Sequence, residues 1–364
     1  MKDVLKKLDP EVSSLVGDIG AYADSLRVSV RLIGGIVRDA LLGLKSRDVD
    51  IVLEADAIDF AQGWAKVKGA VLKTHPRFGT ATVYLKSGLY VDFVTARRET
   101  YPTQGALPKV EPSTFEDDVV RRDFTINALA VQVNGPERGR MIDRCGGQED
   151  LRNRVIRIFH DESFVDDPTR VLRAVRFERR FDFRLESLTR RLLKEALSEG
   201  LDATVNPPRY FTEFRRFFAE PDPAGCLKRL DQLGGGLLFQ QFSYDAKAFS
   251  DFCRRAERLK KMQLKFKNWP MIYMLGLFWG MPEKQRAACL DSFQLRRPEK
   301  GLLQQLTDLK CYLKHFNGQK DACLSEMVGR FSEDLVFFVL ACGPGELKGE
   351  VKTFLVNQYK CQEL

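Results

Sequence analysis

The sequence predicts an α+β N-terminal region built on a small mixed sheet, followed by an all-helical remainder. Short apolar runs with strand character crowd the chain as far as Thr95. Helical periodicity then takes over from Gln148. Between the two lies a stretch, residues 96–120, rich in Pro, Gly and acids, which reads as a long functional loop or a plain inter-domain connection. With 364 residues the chain can bury a sizeable core, and two or more domains are expected.

Residues 1–27 read as one or two amphipathic helices, with Val12, Leu15, Ile19 and Tyr22 at helical spacing. Strands are expected at Val28–Ile33, Asp48–Leu53, Ala70–Lys73, Gly79–Leu85 and Leu89–Thr95, with helices at Ile36–Leu44 and Ile58–Val67. Lys86-Ser87-Gly88 closes a hairpin between the last two strands. Further on, Asp167 can cap a helix with Pro168 in its first turn, and Val171, Leu172, Val175 and Phe177 form its apolar side. Trp269–Gly280 reads as an apolar core helix. Arg254 to Lys267 is strongly basic, either an RNA-backbone contact or a solvated helix face. No internal repeat or low-complexity tract is present.

The chemistry concentrates around Leu32-Ile33-Gly34-Gly35-Ile36-Val37-Arg38-Asp39 and Arg47-Asp48-Val49-Asp50-Ile51-Val52. Two residues apart on a strand, Asp48 and Asp50 leave the same face, which suits divalent metal ions. Lacking a Cβ, Gly34 and Gly35 let backbone amides approach a phosphate chain. The bland alternative is a turn before a strand with two solvated acids. Asp92, between Val91 and Phe93, is a candidate third carboxylate if its strand neighbours that of Asp48 and Asp50; otherwise it is an edge-strand acid facing water. In Arg121-Arg122-Asp123-Phe124-Thr125-Ile126-Asn127, arginines can hold phosphates, and Asp and Asn can hold ribose hydroxyls. Arg170, Arg173 and Arg176 recur at spacing three, as ligands or as a solvated basic stripe. Arg209 and Glu213 form an i, i+4 pair.

Composition narrows the partners. Lys and Arg total 58 against 50 Asp and Glu, a net charge of +8 that favours a polyanion. None of the eight cysteines forms a C-x-x-C pair, so neither a zinc site nor a disulfide framework is supported. His75, His160 and His315 are too dispersed for a histidine-rich metal centre. No apolar run could span a bilayer and the N-terminus lacks a signal-peptide core, so no membrane partner and a cytoplasmic location are expected.

Taken in order, these motifs resemble the class II tRNA nucleotidyltransferase and bacterial poly(A) polymerase family, within the DNA polymerase β superfamily. The likeness spans residues 28–220. Gly34-Gly35 with Asp48-Val49-Asp50 is similar to the family's metal motif, and Arg121-Arg122-Asp123 to its ribose motif. Asp166-Asp167-Pro168-Thr169-Arg170 is similar to its base-selecting E-D-x-x-R motif, with Asp166 where Glu is usual, and Arg209 to Glu213 to its next helix.

The resemblance implies a catalytic head at 1–145, a helical neck for base selection at 146–220, and a helical body and tail for tRNA binding at 221–364. It implies untemplated nucleotide transfer from ATP, and in some members CTP, to the tRNA 3′ end with release of pyrophosphate. Asp48 and Asp50 would hold two Mg²⁺ ions, with Asp92 a candidate third ligand. Gly34, Gly35 and Arg38, oriented by Asp39, would cradle phosphates. Arg121, Arg122, Asp123, Asn127, Asp167, Arg170, Arg173 and Arg176 would complete the nucleotide site.

Adenine and cytosine both place an amino donor beside a ring-nitrogen acceptor, which a carboxylate and a guanidinium can read together, so Asp167 with Arg170 would select A and C. Within the family, the full-length stretch from Arg97 to Asp118 disfavours CC-only addition. The segments 96–102 and 105–112, with Asp167-Pro168 inside the base-selecting motif, are most similar to A-adding members, which sets A addition slightly ahead of full CCA addition. A-only addition would call for a separate CC-adding enzyme. The alternatives are a bacterial poly(A) polymerase, or a non-catalytic RNA-binding relative, which would be expected to lose a carboxylate at 48 or 50.

Overall fold

A computed structural model describes residues 4–235, 244–261, 268–292, 297–314, 327, 329–342, 348–349 and 351–352. They form two compact units. The first runs to Arg170 and includes Phe181–Leu192; the second comprises Val171–Arg180 and the residues from Leu193 onward. This division does not coincide with boundaries drawn at 145/146 and 220/221.

The first unit opens with α1 (Pro10–Leu26), whose N-cap Asp9 accepts from the Glu11 amide and whose first turn carries Pro10. Then follow β1 (Val30–Ile33), α2 (Gly35–Leu42), β2 (Asp48–Leu53), α3 (Ala57–Lys68), β3 (Val71–His75), β4 (Thr80–Tyr84) and β5 (Tyr90–Thr95). After them come β6 (Arg97–Thr100), β7 (Lys109–Pro112), α4 (Phe115–Val120), β8 (Ala130–Gln132) and β9 (Met141–Ile142). The unit continues through α5 (Gly147–Arg152), β10 (Val155–Ile156), α6 (Ser163–Asp166), α7 (Thr169–Phe181), β11 (Arg184–Leu185) and α8 (Ser187–Ser198). Part of α7 and the end of α8 belong to the second unit.

Seven strands build one mixed sheet in the order β3-β4-β5-β2-β1-β8-β9. Only β2 and β5 are parallel in it, joined through α3, β3 and β4. Alternation gives the sheet two unlike faces. Val49, Ile51, Leu53, Val91 and Phe93 are fully buried on one, and Phe60 and Trp64 of α3 pack their rings on Phe93 at 5.4 and 5.5 Å. The opposite face carries Asp48, Asp50 and Asp92.

The stretch at 96–120 is not a loop throughout. β6 and β7 pair as an antiparallel ribbon from Arg97↔Pro112 to Thr100↔Lys109, and α4 follows, capped by Thr114. Apolar alternation does not betray this ribbon because its side chains are largely charged: Arg98 donates across it to Glu111 at 2.6 Å, and within β6 Arg97 donates to Glu99 at 2.8 Å. β8 and β9 also escape a periodicity reading, being two or three residues long and identified only by their neighbours.

The described part of the second unit adds α9 (Pro207–Arg215), α10 (Pro223–Leu233), α11 (Ala246–Lys260) and α12 (Trp269–Gly280). It continues with α13 (Glu283–Ser292), α14 (Arg297–Lys314) and α15 (Glu333–Cys342). Aromatic contacts tie it together: Phe214 meets Phe211, Phe217 and Phe218, while Phe338 takes Phe252 and Trp279. Gly276 lets α12 approach the Phe252 ring where a Cβ would overlap it. In the basic stretch, Arg254 pairs with Asp251, and Arg255 donates to the Ala341 carbonyl at 3.0 Å. Residues 262–267, with Lys265 and Lys267, lie outside the described residues. No described helix is long and apolar enough to cross a membrane.

Candidate active site

Three carboxylates meet where β2 and β5 run side by side. Register puts Asp50 directly opposite Asp92 and Asp48 opposite Tyr90. The Tyr90 hydroxyl donates to Asp48 Oδ1 at 2.8 Å, and Thr82 of β4 donates to Asp92 Oδ1. Burial, together with the charges of Asp48 and Asp92, pushes the Asp50 carboxyl from its ordinary 3.8 up to about 7, against the pull of Arg122 and Arg121. Burial likewise raises Asp92. Crowded acids of this kind fit a cation, which would relieve the repulsion that raises Asp50. Among the described residues no three His, Cys, Asp or Glu side chains form a ready-made cage. Asp48 and Asp50 would therefore hold an ion as an open pair, with substrate or water supplying its other ligands.

Gly34 turns the chain from β1 into α2 beside this cluster. Its φ of +88° disfavours any side chain, and a Cβ there would lie 3.2 Å from Arg122 Nη1 and 3.6 Å from Asp50 Oδ2. The expected role of both glycine amides needs one correction. The Gly34 N–H donates to the Leu129 carbonyl at 3.0 Å, tying the turn to the sheet rather than facing a ligand. Gly35, first residue of α2, keeps its amide at the helix N-terminus.

Arg38 is 4% exposed and held on three sides. Asp39 takes its Nε at 2.8 Å and Nη2 at 2.7 Å, Asn127 accepts from Nη1, and the Phe181 ring lies 4.6 Å from the guanidinium. Asn127 passes the network on, donating Nδ2 to Asp123 Oδ1 at 2.9 Å. Arg38 thus joins Asp123 and Asn127, more than 80 residues further along the chain, in one buried relay.

Arg121 and Arg122 both reach Asp118, which is wholly buried and held below the usual carboxylate range by the two guanidinium groups. Arg121 also bridges to Glu99 of β6 at 3.1 Å, so it links α4 to the ribbon. Arg122 keeps its buried Nε without a hydrogen-bond partner. Sequence reasoning missed Asp118 and Glu99. The first had a signal, an Asp three and four residues before an Arg pair next to a helix cap; the second had none, because its partner comes from another element.

At the start of α7, Asp167 Oδ1 accepts from the Thr169 amide at 3.1 Å and hydroxyl at 2.6 Å, so it does cap the helix. Arg170, also 4% exposed, donates to the Ser163 carbonyl at 3.3 Å and the Arg121 carbonyl at 2.9 Å. That bond joins the segment carrying Arg170 to the segment carrying Arg121. Arg173 and Arg176 belong to the second unit, where Glu213 lies 3.7 and 3.8 Å from them and Glu220 lies 3.3 Å from Arg176.

Residues 30–157 match the family model of the Poly A polymerase head domain. Over 357 residues the chain is 34% identical to an A-adding tRNA nucleotidyltransferase of Halalkalibacterium halodurans, covering 96% of this chain and 81% of that relative. It is 50% identical over 171 residues to the A-adding tRNA nucleotidyltransferase of Aquifex aeolicus, covering 47% and 20% of the two chains. A CC-adding tRNA nucleotidyltransferase of Deinococcus radiodurans is 35% identical over 237 residues, 65% of this chain and 62% of that one. Among solved structures, a CCA-adding enzyme in its apo form II superposes with a TM-score of 0.77 at 32% identity, covering 100% of this chain and 87% of that one. A Thermotoga maritima CCA-adding enzyme complexed with tRNA superposes at 0.71 and 31% identity, over 98% and 84% of the chains. Complexes of a CCA-adding enzyme with CTP and with ATP superpose at 0.72 and 0.74, both at 31% identity, over 99% and 100% of this chain and 85% and 86% of theirs.

Proposed function

The chain belongs to the class II tRNA nucleotidyltransferase family, and from that premise we propose that it adds the terminal adenosine to tRNA ending in CC, using ATP. It is an enzyme of tRNA 3′-end processing that transfers nucleotides and takes tRNA and nucleoside triphosphates as substrates. In the transfer, the RNA 3′-hydroxyl oxygen bonds to the α-phosphorus, the bond to the β-phosphate oxygen breaks, and pyrophosphate leaves while the hydroxyl proton is lost. The observation that carries this reading is the Asp48–Asp50–Asp92 cluster on one rigid sheet face, flanked by Gly34 and Arg122. Divalent metal ions, which we take to be Mg²⁺, would be held by Asp48 and Asp50 and would supply activation of the hydroxyl and charge neutralisation at the leaving group.

The protein's own residues do the positioning. Gly34 leaves room beside Asp50, and Arg122 brings a guanidinium with an unused buried donor to the same spot. Arg38, fixed by Asp39, orients Asn127 and through it Asp123 for the ribose. Asp167, oriented by Thr169, and Arg170, oriented by two carbonyls, would read the amino group and ring nitrogen of the base. Both are set before a nucleotide arrives, which lowers the ordering cost of selection.

A addition is favoured over complete CCA addition by the A-adding relatives, and the full-length stretch that forms the β6–β7 ribbon speaks against CC-only addition. It would require a separate CC-adding enzyme. The test is single-nucleotide extension of tRNAs ending at the discriminator base, after one C and after two, each with CTP, ATP or both and Mg²⁺. Extension of the CC-ended tRNA alone, by ATP alone, is expected. Stepwise completion of all three would make it a full CCA-adding enzyme, and long A tails would make it a poly(A) polymerase.

A further inference from the structure

The sheet face that bears the carboxylates also bears two aromatic rings whose faces have no part in the chemistry above. Cross-strand register places Tyr84 of β4, Tyr90 of β5 and Asp48 of β2 in one row. The next row on the same face is Thr82, Asp92 and Asp50. Tyr84 and Tyr90 are 44% and 37% exposed, with ring centroids 6.2 Å apart and planes tilted by 40°. Tyr90 is fixed at its far end by its hydrogen bond to Asp48. Two large rings left open to solvent, one of them tethered to a candidate reacting carboxylate, make a preformed aromatic surface.

Charge and topology identify what that surface fits. β2 and β5 run parallel, so the segments entering them reach the same end of the sheet. Those segments carry exposed Lys45 before β2, beside an Arg47 already paired with Glu11 at 3.0 Å, and exposed Lys86 in the turn before β5. Strand order then divides the two substrates of a transfer reaction. β1, leading into Gly34, lies on one side of β2, while β5 and β4 with their tyrosines lie on the other. The Gly34–Arg122 side suits a triphosphate. The tyrosine side offers π-faces with cations at its border, the combination that holds single-stranded nucleic acid without base preference.

We propose that Tyr84 and Tyr90 form the stacking platform for the unpaired 3′-terminal nucleotides of the RNA acceptor, and that Lys45 and Lys86 attract the acceptor's phosphates. The platform delivers the 3′-hydroxyl to the row holding Asp50 and Asp92. This inference rests on the nucleotidyl-transfer reading, because that reading assigns the neighbouring carboxylates to the hydroxyl. Tyr90 has a second part as a positioning residue, since its hydroxyl orients Asp48.

The test uses the full chain and fluorescence anisotropy with a 5′-labelled RNA minihelix ending in unpaired CC, in EDTA so that no turnover occurs. Tyr84→Ala and Tyr90→Ala are expected to weaken binding roughly tenfold, the scale of one lost base stack. Tyr84→Phe and Tyr90→Phe keep the rings and should bind as wild type, and a blunt duplex should not distinguish any of the variants. In turnover, Tyr84→Ala should raise KM for the RNA about tenfold and leave KM for ATP unchanged. Alanine variants that bind the CC-ended RNA like wild type, or lose the blunt duplex equally, overturn the platform. A Tm drop with no change in RNA KM reduces Tyr84 to a cross-strand packing pair and overturns it too. Ring-dependent RNA binding by a protein that extends no tRNA would sink the transfer reading and leave the platform standing.

Discussion

At the scale of single residues, Asp50 shows most clearly how the fold prepares the chemistry. Its carboxyl lies at about 7 in the metal-free protein because it is buried beside Asp48 and Asp92. A raised carboxyl favours the folded state only while protonated, so its contribution is complete below its ordinary 3.8 and is lost as pH rises through 7. The span from 3.8 to about 7 corresponds to roughly 4 kcal/mol at most. Asp50→Asn should therefore abolish transfer yet make the metal-free protein more stable than wild type at pH 8, relative to their difference at pH 5. Urea unfolding in EDTA at both pH values measures this, and an equal difference at both would refute it. Arg170 is a second such case. Arg170→Ala should relax discrimination against UTP and GTP, seen in competing-nucleotide extension, and unchanged selectivity would remove it from base reading. The same change takes the Arg170 donor from the Arg121 carbonyl, while the Ser163 carbonyl keeps the Asp167 amide, so it should also destabilise by about 1 kcal/mol.

At the scale of elements, the β6–β7 ribbon is fastened at one buried acid. Glu99 accepts from Arg97 at 2.8 Å, Arg121 at 3.1 Å and the Tyr101 hydroxyl at 3.0 Å. Through Arg121 and Asp118 the ribbon is connected to Arg122, hence to the flank of Asp50. Removing Glu99 takes an acceptor from three groups at once, although Arg97 keeps the Phe78 carbonyl and Arg121 keeps Asp118. Glu99→Ala should cost roughly 2–4 kcal/mol and speed amide hydrogen exchange across 97–112 more than in β2 or β5. Exchange unchanged in the ribbon would mean that turn chemistry, not this cluster, holds it. Exposed Arg98–Glu111 contributes to the same ribbon, but solvent screens it.

At the scale of the whole molecule, the net charge of +8 bears on the encounter with RNA. Phosphate neutralisation releases counterions, so tRNA affinity should fall linearly in log–log form with rising salt. Filter binding between about 50 and 200 mM salt should show that slope for tRNA, whereas KM for ATP moves far less. A flat salt profile would mean that the basic excess serves solubility alone. Both compact units carry surface cations, Lys45 and Lys86 in the first and Arg254 and Lys260 in the second.

The sequence by itself determined the α+β start, the helical remainder and the family. Asp48 and Asp50 were legible because a strand's two-residue period obliges them to share a face, and Gly34 because a turn there tolerates no side chain. Asp123 and Asn127 were legible as two polar residues of one motif, but not their connection to Arg38. Tertiary structure alone decided that Asp92 stands opposite Asp50, since strand order depends on long-range pairing that no local period encodes. It also decided that Gly34's amide is spent on Leu129, that Glu99 meets Arg121, and that Tyr84 and Tyr90 flank the acids. Each of these is a contact between segments distant in sequence. Local propensity fixes which way a side chain leaves its own backbone; only the packed chain fixes what waits there to meet it.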